Sequence, residues 1–199
     1  LSSQQGRNAL RLDDPVFDDM EVASMKVHSG DDASCFNLNR AQAPILLGVD
    51  PEAMTARRAF IAEDSDENAW ELLNVNLPDG AVPALVADAN TAMWGLEKAV
   101  GITKGAHIAY RDERGRMFNV KLVGTLPARL TVFQGRLLIS KQAFTERFPS
   151  EEGHRMFLID VPADRVDAIR RGLSERLARI GFDVIPAVDR LLEFYTVEN

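Results

Sequence analysis

Cysteine is nearly missing from this sequence: Cys35 stands alone in 199 residues. No internal disulfide can form, and cysteine usage does not identify a redox compartment. Long apolar runs are missing too. Stretches such as "AVPALVA" are short, and nothing approaches the roughly 20 residues needed to cross a bilayer. Positive charge is scarce: 23 Lys+Arg face 30 Asp+Glu, a net charge of -7. Nucleic acid is therefore excluded as a partner, because phosphate binding needs a basic groove and no Lys/Arg cluster with interleaved aromatics occurs. There is no G-x-G-x-x-G after a strand, no Walker A motif and no G-x-S-x-G, so no dinucleotide or triphosphate site is indicated.

What is present suits one or two compact domains that bury roughly 70% of the unfolded chain's surface. The composition, 46% hydrophobic and 27% charged with mean hydropathy -0.14, is that of an ordinary soluble globular protein. Charge is uneven. Residues 1 to 80 carry 15 Asp+Glu against 6 Lys+Arg, and the remainder carries 15 against 17. The acidity belongs to the N-terminal part.

Residues 1 to 20 are polar and weakly periodic, and read as a lead-in segment. "EVASMKVHS" alternates Ala23, Met25 and Val27 with Ser24, Lys26 and His28, the period-2 signature of a half-buried strand. Residues 30 to 76 give mixed signals and read as loops with short helices. "AVPALVA" predicts a buried strand, and Asp88 or Asn90 can cap a short helix "TAMWGLEKAV" that Gly101 ends. "AHIAY", the charged turn "RDERG" and "MFNVKLVG" predict a hairpin in which Phe118, Val120 and Leu122 alternate with Asn119 and Lys121. "GRLLIS" adds a strand, and Ser140 caps the helix "KQAFTERF". "MFLIDV" reads as a buried strand. After Pro162 the stripe Val166, Ile169, Leu173, Leu177 and Ile180 predicts a helix closed by Gly181, and "FDVIP" returns as a second strand of a β-α-β unit. Such a unit needs partner strands, and "EVASMKVHS" is the supplier. The first and last segments then form one domain into which the middle is inserted.

Candidate chemistry is sparse. Cys35 with His28 suggests a nucleophile and a base, but a lone cysteine is usually a small buried hydrophobe and no family signature surrounds this one. His107 and His154 have no metal-ligand spacing, so no zinc is assigned. The pairs Asp13/Asp14, Asp18/Asp19 and Asp31/Asp32 do not match a calcium loop and read as a solvated acidic face. Trp70 and Trp94 read as core or interface positions rather than ligand platforms. No catalytic, cofactor-binding or metal-binding residue is assigned.

The chain ends in "DRLLEFYTVEN". From Pro186 the spacing Val188, Leu191, Leu192, Tyr195 predicts an amphipathic helix opened by proline, with no stop signal and with Glu198 at the negative end of the helix dipole. This helix reads as cut rather than finished. At the other end Leu1 follows no initiator Met and opens no signal peptide. Both ends read as those of a piece of a longer chain.

"GRLLISKQAFTERFPSEEGHRMFLIDVP" followed by "RLLEFYTVEN" resembles the extracytoplasmic domain of FtsX-like, MacB-type ABC transporter permeases, and "DDASCFNLNRAQAPILLGV" with "DGAVPALVADANT" is similar to the same group. The likeness covers most of residues 30 to 199 and contains no catalytic motif; residues 1 to 29 match least. It implies an α+β fold: a membrane-proximal, porter-like β-α-β subdomain from both chain ends (1-79 and 150-199) and an inserted β-rich, sabre-like module (80-149). It implies a periplasmic domain of an inner-membrane protein, non-catalytic and without cofactor, which couples cytoplasmic ATP hydrolysis to extracytoplasmic movement by mechanotransmission. The implied partners are transmembrane helices of the same permease, an ABC ATPase subunit or domain, and a periplasmic adaptor, substrate-binding protein or lipoprotein. The final helix, through Leu191, Phe194, Tyr195 and Asn199, is then the link to the membrane. A soluble ligand-sensing module with a tryptophan in an apolar pocket, and a hydrolase using Cys35, are the rival readings.

Overall fold

The computed structural model describes residues 1, 3–30, 44–58, 60, 68–86, 105–126, 131–133 and 135–189. It is an α+β fold with a mixed sheet, as expected from the sequence. The strands are β1 (Glu21–His28), β2 (Ile45–Val49), β3 (Val82–Val86), β4 (His107–Arg111), β5 (Met117–Thr125), β6 (Arg136–Ser140) and β7 (Met156–Asp160), in the order β4-β5-β3-β6-β2-β1-β7. The helices are α1 (Gln4–Ala9), α2 (Pro51–Ala56), α3 (Lys141–Arg147) and α4 (Val166–Leu177). The chain divides into two compact units, Leu1–Ser24 with Phe157–Asn199, and Met25–Met156.

In the unit Met25–Met156, β2 runs parallel to β6 and β3 parallel to β5, while β1–β2, β3–β6 and β4–β5 are antiparallel. β2, β3 and β6 are buried almost throughout, as befits strands covered on both faces. On one face Leu46, Val82, Ile108, Tyr110, Val120 and Ile139 pack with Phe144 and Phe148. Ser140 caps α3 as the sequence predicts, its hydroxyl accepting from the Ala143 amide at 3.2 Å. This brings Phe144 onto Gly48, where a Cβ would stand 2.7 Å from the ring. Tyr110 donates its hydroxyl to the Pro44 carbonyl at 2.7 Å, satisfying a buried polar group. Trp70, Leu73, Met54 and Phe133 form a further buried set, with Phe60 packed on both Trp70 and Phe133.

The division differs from the expected borders at 79/80 and 149/150. β2 lies within 30 to 76, read from sequence as loops with short helices, yet its backbone is hydrogen-bonded between β6 and β1 and so belongs to the central sheet. The predicted helix "TAMWGLEKAV" lies outside the described residues.

In the unit of both chain ends, α4 presents Ile169, Leu173 and Leu177 to a core completed by Leu12, Phe17, Met20 and Val22. Gly181 closes the helical segment in the left-handed conformation, φ 73°. Val166 and Ile180, the two ends of the predicted stripe, are 37% and 64% exposed, so the apolar face is three residues long rather than five. Two expectations are corrected. Residues 1 to 20 are not a mere lead-in: α1 is capped by Ser3, and Leu12 and Phe17 are fully buried. "FDVIP" forms no strand, so the β-α-β unit stops at β-α. Phe182 and Val184 close the core through their side chains, and backbone pairing is not needed to bury them. β7, expected to be buried, is only half-buried.

Candidate functional site

The unit of both chain ends is held together by contacts between residues more than 140 positions apart. Phe17, on a turn capped by Asp14, meets α4 where Gly172 leaves room; a Cβ there would lie 2.8 Å from the ring. Arg176, one turn along the helix, lies with its guanidinium 4.8 Å from the centroid of the same ring. It donates to the Arg11 carbonyl at 2.9 Å and to Asp14 Oδ2 at 3.1 Å. Arg165 pairs with Asp19 at 2.7 Å. Asp14's carboxyl is held below the usual range, first by the Val16 amide and then by the Arg176 hydrogen bond. Leu10, Arg11, Asp13, Asp14, Glu175, Arg176 and Arg179 line an open cleft of about 710 Å3 beside this junction. Its charges are balanced and its walls exposed, unlike those of an enclosed ligand pocket.

The unit Met25–Met156 holds a histidine–carboxylate pair. His28 Nδ1 lies 2.6 Å from Glu151 Oε1, and the imidazole stacks on Phe148 with centroids 3.9 Å apart. Arg155 bonds the other oxygen of Glu151 and also donates to the Val27 carbonyl, while Lys26 Nζ reaches the Glu151 carbonyl at 2.5 Å. Glu151 therefore fastens the segment after α3 to β1. A general base would need a nucleophile or substrate at Nε2, and no described residue bonds that atom. His154, close by, has its pKa lowered by burial first and then by the positive charges of Lys141 and Lys26.

Leu191, Phe194, Tyr195 and Asn199, expected to link the domain to a membrane, lie outside the described residues, as do Cys35, Trp94 and the Asp31/Asp32 pair. Of the final helix only 187–189 are described, where Val188 is 63% exposed. Trp70 is fully buried against Phe60, a core position. His107 pairs with Asp79 at 3.4 Å. Among the described residues no group of three His, Cys, Asp or Glu is placed to hold a metal, and no helix is long and apolar enough to cross a membrane. Sequence reasoning missed Phe17, Gly172 and Arg176, since no periodic pattern relates positions so far apart. In the sequence Asp14 reads only as half of an acidic pair.

No protein-family model matches the chain, and no curated protein matches it. Among solved structures it is similar to the extracellular domain of a noncanonic ABC-type transporter, YknZ, from Gram-positive bacteria. The TM-score is 0.43 and the identity 12%, over 88% of this chain and 84% of that one. A likeness so distant assigns neither fold nor function.

Proposed function

We propose that the chain is the non-catalytic extracytoplasmic domain of an ABC transporter permease of the FtsX-like, MacB-type kind, coupling cytoplasmic ATP hydrolysis to extracytoplasmic movement for export or partner engagement. The observation that carries this reading is the shared core of the two chain ends: Leu12, Phe17 and Met20 pack with Ile169, Leu173 and Leu177. A domain inserted between two membrane helices must bring its ends together, and a single close-packed core resists their displacement as one body. The resemblance of "GRLLISKQAFTERFPSEEGHRMFLIDVP" to this group supports the same reading. The two-ended unit is then the membrane-proximal subdomain, and the unit Met25–Met156, which contains residues 80–149, the inserted module. The helix begun after Pro186, with Leu191, Phe194, Tyr195 and Asn199, is the stiff link to the bilayer of the inner membrane, the domain itself being periplasmic. Its partners are the transmembrane helices of the permease, the ABC ATPase, and an adaptor, substrate-binding protein or lipoprotein.

Protease added to intact spheroplasts bearing the full-length protein tests the location. The domain should be digested from outside; digestion only after lysis would refute an extracytoplasmic position. Coupling is tested by inserting Gly-Gly between Phe194 and Tyr195, which loosens the helix and rotates everything beyond it by about 200°. Export activity should be lost with ATP hydrolysis and expression retained, whereas unchanged export would reduce the helix to a tether.

A further inference from the structure

We draw no further inference here: the strongest candidate, the side-chain cluster of Lys26, His28, Glu151 and Arg155 between β1 and the α3–β7 connection, belongs to the site already described, where its bonds hold two segments of one unit together.

Discussion

Phe144 and Phe17 are both fully buried, and each is wedged against a glycine on another element, yet they belong to cores of different construction. Around Phe144 the core is made by regular strands. β2, β3 and β6 supply successive buried positions, and the polar chemistry nearby is backbone pairing that the sheet itself satisfies. Around Phe17 a single helix stripe meets apolar residues scattered through an acidic stretch, and arginine side chains tie the pieces together. Regular backbone buries side chains by repetition, while irregular backbone must be fastened residue by residue. The first core should then depend on packing volume alone, the second on packing and on its cationic ties.

Four kinds of perturbation separate these accounts, in decreasing order of effect. Truncation comes first: Phe144→Ala and Phe17→Ala should each cost about 3–5 kcal/mol, measured by denaturant unfolding. A loss below about 1 kcal/mol for Phe17→Ala would return residues 1 to 20 to the status of a lead-in. The glycines come next. Gly48→Ala should cost about 1–3 kcal/mol because the Phe144 ring has nowhere to move. Gly172→Ala should cost less, about 1 kcal/mol, since the clash with Phe17 is partly offset by the better helix propensity of alanine. In a Phe17→Leu background the Gly172→Ala penalty should fall and the Gly48→Ala penalty should not.

Arg176→Met keeps the apolar body over Phe17 and removes the bonds to Asp14 and the Arg11 carbonyl. It should cost about 1 kcal/mol, with a small coupling to Asp14→Asn in a double-mutant cycle because the pair is partly exposed. A coupling near zero would make the tie decorative.

Acidification is the mildest perturbation. His154 has a folded pKa below its ordinary 6.5, so the native state binds fewer protons than the unfolded chain; its contribution is full above about 6.5 and is lost as pH falls below it. Asp14 has a folded pKa below its ordinary 3.8, so its contribution persists through that range and is lost only as pH falls through the lower folded value. The unfolding midpoint should therefore drop between pH 7.5 and 5.5 by less in His154→Gln than in the parent, and Asp14→Asn should leave that interval unaltered. An equal drop in His154→Gln and parent would remove His154 as the source.

Much of the sheet was legible. β3, the β4–β5 hairpin, β6 and the Ser140 cap follow from alternation, turn chemistry and capping, all of which act within a few residues. β2 was missed because "ILLGV" is a short apolar run without alternation, and periodicity cannot separate such a strand from a buried helical turn. "FDVIP" misled for the opposite reason: its alternation is real, with Phe182 and Val184 inward, but alternation reports one buried face and not a hydrogen-bonded neighbour. The junction of Phe17, Gly172 and Arg176 left no local trace.

By itself, then, the sequence determined the α+β character, the stripe Ile169, Leu173, Leu177, the left-handed stop at Gly181 and the charged turn "RDERG" of the β4–β5 hairpin. Each of these is decided by torsion preferences and hydrogen bonds among residues close in the chain. Only the tertiary structure decided that β2 lies between β6 and β1, that β3 runs parallel to β5, and that Phe17 is covered by α4. Those choices minimise exposed apolar surface over the whole of each unit. Many pairings of the same strands and stripes satisfy the local rules equally well, and the burial they achieve together selects one of them.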